Sequence, residues 1–196
     1  MNYPTKSGNI CPHNMAKKTD KPIYYTIFNT EWGYFGLVAN EDGLIRTHLP
    51  GPNLEKIKAG LLKNLPAARY NQWLFNPVQQ RIIAYFKGTR VNFFTNVPLI
   101  LDGFSPFAKR VLMVCRKIRF SQTISYSQLA KKLRRPTGSQ AVAGALAQNP
   151  LPLIIPCHRV ISSDGKIGGF SAPGGITLKK KMLKHEYQTL MGSKRD

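Results

Sequence analysis

Hydrophobic and polar positions in the first part of the chain predict a small β-sheet. Between residues 23 and 48, apolar side chains concentrate in three short segments, IYYTIF, YFGLVA and LIRTHL. Short segments rich in β-branched and aromatic residues are typical of strands, and Asp42–Gly43 between the last two favours a hairpin turn. We therefore expect an antiparallel sheet here.

Two helices are predicted after the sheet. In NLEKIKAGLLKNL, the positions of Leu54, Ile57, Leu61 and Leu65 approximate one helical face, and NPVQQRIIAYFKG forms a second helix that ends at Gly88. This part of the chain contains no catalytic constellation and is interpreted as a scaffold. Composition divides the chain into a flexible N-terminal arm (1–22), an α+β scaffold domain (23–102) and a C-terminal domain (103–196).

The C-terminal domain is predicted to begin with an amphipathic helix. In SPFAKRVLMVCRKIRF, one helical face carries apolar side chains and the other carries cations. Cys115 lies in the apolar stripe, so we interpret it as a core residue.

A helix–turn–helix pattern follows. Ser125 and Gln128 have the spacing of a capping box, Pro136 ends the first helix, and Ser139 is the expected N-cap of a second helix over 140–148. This second helix has small side chains and no charge, which suits close approach to another surface but equally suits a buried packing helix. Basic residues just upstream favour DNA as that surface: Lys131, Lys132, Arg134 and Arg135.

Charge and composition narrow the choice of partner. Lys and Arg number 29 against 9 Asp and Glu, a formal net charge of +20, which favours a polyanion through phosphate neutralisation and counterion release. A merely soluble basic protein has the same balance. We expect no membrane association, because no apolar run approaches the length of a spanning helix. Three cysteines and the lack of a signal-peptide pattern predict a cytoplasmic protein, nuclear in a eukaryote.

The segment NPLPLIIPCHRVISSDG places Cys157 between a strand-like run, LPLII, and a resumed strand, RVI. Core filling, metal binding, a disulfide and nucleophilic chemistry all use cysteine. We expect no metal, since Cys11 and His13 are closer together than the usual zinc pairs and no second pair follows.

A nucleophilic thiol needs a base, and His158 is the obvious candidate. Adjacent side chains on a strand point to opposite faces, so contact between Cys157 and His158 requires a turn or a bridging water. Glu186 is the best-placed acceptor for the second imidazole nitrogen. These local features leave a reactive and a merely buried Cys157 equally open.

Four segments together resemble the O6-alkylguanine-DNA alkyltransferases: ISYSQLA (124–130), NPLPLIIPCHRVI (149–161) with its PCHRV core, GGFSAPGG (168–175), and the spacing that leads to Glu186. The resemblance is strong over residues 103–187 and weaker before them. It implies an α+β fold. An N-terminal α/β, ribonuclease-H-like domain with an antiparallel sheet precedes a mostly helical, winged helix-turn-helix-like domain that binds DNA and holds the active site.

The resemblance also implies a reaction. The protein would flip O6-alkylguanine out of duplex DNA and transfer the alkyl group irreversibly to Cys157, in one turnover, with O4-alkylthymine as a second candidate substrate. It implies a monomer that needs no cofactor. A non-catalytic or inefficient lesion sensor on the same fold is the alternative, and the presence of Cys157 argues against it.

The family's catalytic roles fall on four residues. Cys157 would accept the alkyl group, and His158 would take its proton through a water. Glu186 would orient His158, and Tyr126 would donate to N3 of the departing guanine.

Further roles implied by the resemblance concern binding. The substrate-binding residues would be Asn149, Pro152, Val160, Phe170 and Ser171, and the DNA-binding residues Arg134, Arg135, Ser139, Gln140, Ala141 and Tyr126. Gln140 stands where the family usually has an arginine that fills the space left by the flipped base. We expect weaker or slower flipping as a result, unless Arg134 or Arg135 reaches the gap.

Overall fold

The computed structural model describes residues 21–93 and 97–192. The predicted arm of residues 1–22 lies outside this range except for its last two residues, as do Cys11 and His13. Within the described residues, the first half forms a sheet of four strands in the order β3-β2-β1-β4. Their bounds are Tyr24–Thr30 (β1), Gly33–Asn40 (β2), Gly43–Gly51 (β3) and Arg69–Tyr70 (β4).

The three long strands pair antiparallel, as the sequence predicts. The turn between β2 and β3 is stabilised by the Asn40 side chain, whose Oδ1 accepts from the backbone N–H of Asp42 (2.9 Å) and of Gly43 (3.3 Å). The short strand β4 runs parallel to β1 and was not predicted. Both of its residues are exposed, so it carries no hydrophobic pattern.

Helices α1 (Leu54–Leu62) and α2 (Asn76–Phe86) confirm the two predicted helices, but Leu65 of the predicted apolar face lies beyond the end of α1 and Leu54 is exposed. Asn53 caps α1 by accepting from the Lys56 backbone N–H. The face of α1 that carries Ile57 and Leu61 is buried, while α2 buries Tyr85 near its C-terminal end. Tyr85 therefore faces the interior of the molecule.

The second half is mostly helical. It contains α3 (Pro106–Arg116), α4 (Tyr126–Lys132), α5 (Ser139–Ala147) and α6 (Gly175–Gly192), with two short parallel strands, β5 (Ile124–Ser125) and β6 (Val160–Ile161). The capping box at the start of α4 is present with both of its hydrogen bonds. Cys115 is fully buried in α3, as expected for a core residue.

Two local predictions in this half are wrong. Ser139 is the first residue of α5 and not its N-cap, a position that Gly138 occupies without a side-chain hydrogen bond. The run LPLII forms turns with one isolated bridge between Pro152 and Ile155 and is not a strand. Prolines at 150, 152 and 156 remove the N–H groups that a strand would need.

A single cluster of buried side chains connects the two halves, from Phe35 in β2 to Cys157. The sheet also fixes the turn that precedes Cys157. The Thr47 backbone N–H donates to the Pro150 carbonyl (3.0 Å), and its hydroxyl donates to the Pro152 carbonyl (2.8 Å). The boundary proposed at residues 102–103 stays a prediction. Among the described residues, no helix has the length and apolar character to cross a membrane.

Candidate active site

Cys157 opens a one-turn 3-10 helix, Cys157–Arg159, immediately after Pro156. Its backbone N–H donates to the Ile155 carbonyl (2.8 Å), and the residue is 8% exposed. Because the chain turns at this point, Cys157 and His158 are not constrained to opposite faces of a strand. This is the turn that Cys157 and His158 were predicted to need if their side chains are to act on the same substrate.

Asn149 holds both the turn and the thiol. Its Nδ2 donates to the Ile155 carbonyl (2.9 Å) and to Cys157 Sγ (3.1 Å), and its Oδ1 accepts from the Leu151 N–H (3.0 Å). Burial raises the pKa of the Cys157 thiol, while the Asn149 hydrogen bond and the positive charge of Lys179 act in the opposite direction. The net rise leaves the thiol protonated at neutral pH, so its reaction needs a base.

His158 and Glu186 form a buried pair. His158 Nε2 lies 2.8 Å from Glu186 Oε1, and neither side chain is exposed. An ionised carboxylate only accepts, so the imidazole proton is on Nε2 and Nδ1 carries the lone pair. Nδ1 is buried without a hydrogen-bond partner among the described residues. Burial lowers the pKa of His158, which keeps the imidazole neutral and able to accept a proton at Nδ1.

Glu186 is the centre of a larger network. Its carboxylate accepts from the Arg159 guanidinium (2.8–3.1 Å), the Tyr85 hydroxyl (2.9 Å) and the Ser121 backbone N–H (2.9 Å). Burial alone would raise the pKa of Glu186, but the hydrogen bonds from His158 and Arg159 and the positive charge of Arg159 outweigh it and lower the pKa well below its usual range. Glu186 is therefore ionised and balances the buried charge of Arg159.

Sequence reasoning missed three parts of this network. Arg159 was quoted within PCHRV but received no role, although its N–H groups also reach the Ile118 carbonyl (2.7 Å). Tyr85 lies 101 positions from Glu186, and nothing in the pattern of α2 indicates the contact. Ser121 contributes only its backbone, which no side-chain motif can indicate.

A cavity of about 530 Å³ opens onto Cys157 from the side of α4 and α5. Its wall includes Tyr126, Gln140, Phe170 and Ser171. Gly168 also lies on the wall, and its left-handed backbone (φ 70°) favours glycine. A Cβ there would also be only 3.3 Å from the Tyr126 ring, closer than most Cβ contacts. Burial raises the pKa of Tyr126, so its phenol stays a hydrogen-bond donor.

A second cavity, of about 260 Å³, reaches Cys157 from the side of β3. Asn149 and Pro152 line it together with Phe170, Ser171 and residues 46–49. The two cavities share the thiol and the Phe170–Ser171 segment. Cys157 and the Phe170–Ser171 segment are therefore accessible from both the α5 side and the sheet side.

The remaining predicted substrate-binding residue, Val160, is not among the residues that line either cavity. The Val160 carbonyl accepts from Lys179 Nζ (2.7 Å), a fully buried lysine that also donates to the Gly169 carbonyl (3.2 Å) and that sequence reasoning missed. Nζ lies 5.7 Å from the centre of the Tyr126 ring. Lys179 thus ties β6 to the loop that carries Phe170.

The predicted DNA-binding residues occupy the turn between α4 and α5 and the first turn of α5. Arg134, Arg135, Gln140 and Ala141 are exposed, and Ser139 is partly buried. The Arg135 guanidinium stacks over the Phe107 ring at 5.5 Å, and Arg134 has a left-handed backbone (φ 57°). Of these five residues, only Gln140 lines the cavity that contains Cys157.

Comparison with known proteins agrees with this arrangement in both halves. Residues 23–99 match the ribonuclease-like domain of 6-O-methylguanine DNA methyltransferase, and residues 106–188 match the DNA-binding domain of the same family.

Curated relatives match over most of the chain. A methylated-DNA–protein-cysteine methyltransferase of Methanosarcina acetivorans is 30% identical over 84% of this chain and 98% of its own length. One from Sulfolobus acidocaldarius is 33% identical over 84% and 93%.

Solved structures extend the match to the fold. OGT of Mycobacterium tuberculosis, in a crystal structure with DNA, superposes with a TM-score of 0.70 at 27% identity, covering 85% of this chain and 94% of that one. From its two matched domains and its full-length relatives, the chain belongs to the 6-O-methylguanine DNA methyltransferase family.

Proposed function

We propose that this protein repairs DNA by moving the alkyl group of O6-alkylguanine onto Cys157, once per molecule. The observation that carries the proposal is the thiol itself. It lines both cavities, accepts a hydrogen bond from Asn149, and is followed directly in the chain by His158, whose tautomer Glu186 fixes.

The proton leaves the thiol before or during attack. His158 Nδ1 has the free lone pair, and a water between Sγ and Nδ1 would pass the proton to it. A histidine is the usual base that activates a cysteine nucleophile. The carboxylate of Glu186 stabilises the imidazolium that forms. Sγ then bonds to the alkyl carbon, the carbon–O6 bond breaks, and the electron pair goes to the guanine.

The guanine is a poor leaving group unless its negative charge is stabilised. The Tyr126 phenol is proposed to donate to N3, and the Ser171 backbone N–H to O6. The Val160 carbonyl already accepts from Lys179, but a carbonyl oxygen has a second lone pair for the exocyclic amine. Pro152 and Phe170 are proposed to contact the alkyl group in the smaller cavity.

The product explains the single turnover. The S-alkylcysteine is a thioether, which has no good leaving group at neutral pH. The residues around Cys157 supply a base for the thiol but no group that would remove the alkyl group from sulfur. Each molecule is therefore consumed when it repairs one base.

The substrate base has to leave the DNA stack, because a buried thiol cannot reach O6 inside the duplex. The surface of Arg134, Arg135, Ser139, Gln140 and Ala141 is proposed to hold the duplex, with phosphates neutralised by the excess of cations. Gln140 enters the cavity wall where the family usually has arginine, so we propose that it contacts the space left by the flipped base without supplying charge. The protein is proposed to act as a monomer wherever its duplex substrate lies, in the cytoplasm of a prokaryote or the nucleus of a eukaryote.

Mass spectrometry tests the assignment. The protein is incubated with a duplex that contains O6-methylguanine, and its peptides are searched for an added methyl group. We expect the methyl on the Cys157 peptide of the native protein and of the Cys115→Ser control. The absence of modification, or modification that persists in Cys157→Ser, would refute the proposal.

A further inference from the structure

A second concave surface lies away from the two cavities that contain Cys157. It encloses about 370 Å³ and is lined by Arg90, Val91, Asn92, Lys117, Arg119 and Phe120. Three of these six described residues are cationic and none is acidic. The floor is apolar, formed by the buried side chains of Val91 and Phe120.

The three cations come from two separate parts of the chain. Arg90 follows α2, whereas Lys117 and Arg119 follow α3. The ion pairs of the described residues involve other cations, among them Lys21, Lys109, Lys166 and Arg159. Like charges within a Debye length of one another repel, and an anion bound between them offsets that repulsion. The dipole of α3 favours a cation at its C-terminal end, which accounts for Lys117 but not for the other two.

This surface is separate from the proposed DNA surface. Helix α3 has 11 residues and is therefore about 16 Å long. Its first part contacts the α4–α5 turn, through the Arg135–Phe107 stack and a hydrogen bond from Arg110 to the Leu133 carbonyl. Lys117 lies just beyond the opposite end of the helix.

The floor of the concavity adjoins the Glu186 network. The Phe120 ring lies 5.7 Å from the Arg159 guanidinium carbon and 6.0 Å from the Tyr85 ring, and Ser121 donates its N–H to Glu186. Ser121 has a left-handed backbone (φ 58°), uncommon for a residue other than glycine. An occupant would thus rest on the segment that positions the catalytic carboxylate.

We propose that the concavity of Arg90, Lys117 and Arg119 binds a phosphate group. Guanidinium groups donate in a planar fork that matches phosphate oxygens, and an ammonium adds a third charge with rotatable donors. The phosphate would come from a DNA backbone that passes beyond the α4–α5 surface or from a free phosphate compound.

Paired variants test the proposal on the full chain. Lys117→Gln/Arg119→Gln removes two charges from the concavity, and Lys58→Gln/Lys63→Gln removes two exposed charges from the region of α1. Binding of inorganic triphosphate is measured by calorimetry at low ionic strength, and binding of a long duplex is measured over a range of salt concentrations. Thermal unfolding verifies that both variants fold.

We expect triphosphate affinity to fall at least tenfold in the concavity variant and less than twofold in the control. If the phosphate belongs to DNA, the slope of log affinity against log salt also becomes shallower in the concavity variant alone, by about 0.9 for each phosphate that the protein no longer neutralises. If it belongs to a free compound, the slope matches that of the control. Equal effects of the two variants on both measurements would overturn the proposal, because they would reflect net charge rather than a site.

Discussion

Replacing Glu186 by glutamine removes one charge from the centre of the active-site network while keeping its size. The carboxylate accepts from His158, Arg159, Tyr85 and Ser121, and its side chain is not exposed. In Glu186→Gln the side-chain NH₂ group replaces one carboxylate oxygen, so at least one of these donors meets another donor and loses its acceptor. Arg159, which is 5% exposed, is then left without a counter-charge.

The size of the effect follows from this burial. Breaking a buried ion pair by removing one partner costs about 3–5 kcal/mol, because the other charge stays buried and unpaired. A domain of this kind has a total stability of about 5–15 kcal/mol, so the variant should fold but unfold at much lower denaturant concentration. Tyr85→Phe is the matched control. It removes one hydrogen bond to the carboxylate and should cost about 1.5–3 kcal/mol.

The loss should depend on pH. The pKa of Glu186 is lower in the folded protein than its ordinary value of 4.5, so its stabilising effect is complete above that value and disappears as the pH falls through the folded pKa. Urea unfolding at neutral pH and at several pH values below 4.5 measures both quantities. A loss below about 1 kcal/mol at neutral pH, or a difference from the native protein that does not narrow in acid, would refute the reasoning.

Three other perturbations address the thiol and the DNA surface. The alkyl-transfer rate of the native protein should stay constant down to about pH 6.5 and fall in more acidic buffer as His158 is protonated. The His158→Gln variant should be slower, and its rate should rise toward about pH 9 as the Cys157 thiol ionises. The same rate–pH profile in both proteins would contradict the role of His158 as the base. Asn149→Ala should lower the free energy of unfolding by about 1–3 kcal/mol. Its Cys157 should also react more slowly with iodoacetamide at neutral pH, because the variant lacks the hydrogen bond from Asn149 that lowers the pKa of the thiol. Unchanged iodoacetamide kinetics would count against an effect of that hydrogen bond on the thiol. Gln140→Arg should bind duplex DNA more tightly, and the slope of log affinity against log salt should be steeper by about 0.9. No gain in affinity or repair rate would show that Gln140 does not limit base flipping.

Local signals in the sequence were sufficient for much of the framework. The capping box of Ser125 and Gln128 indicated the start of α4, because it depends on residues within a few positions of one another. The hairpin turn predicted at Asp42–Gly43 lies one residue earlier, at Glu41–Asp42, and Gly43 begins β3. The turn before Cys157 was harder. LPLII is as apolar as a buried strand, and its flanking and internal prolines were the one local sign against a strand. The way it folds back depends on the Asn149 side chain and the contacts of Thr47.

Long-range contacts explain the rest of what was missed. The resemblance to a known family indicated His158 and Glu186, and the structure brings their side chains together. Tyr85 and Lys179 carry no sequence signal, since a buried tyrosine at the end of an amphipathic helix and a lysine in the basic run KKK are ordinary features of such segments. Their roles depend on the packing of α2 and α6 around the active-site turn.

If Cys157 is a single-use alkyl acceptor, the amount of protein limits the number of bases that can be repaired, and a titration measures that limit. A fixed amount of protein is mixed with increasing excess of a duplex that contains O6-methylguanine, and the unmodified guanine formed is quantified at completion. The account predicts a plateau at about one guanine per protein molecule, with equal methylation of Cys157 and none in Cys157→Ser. Guanine that continues to accumulate beyond this ratio, or that forms without methylated Cys157, would contradict it.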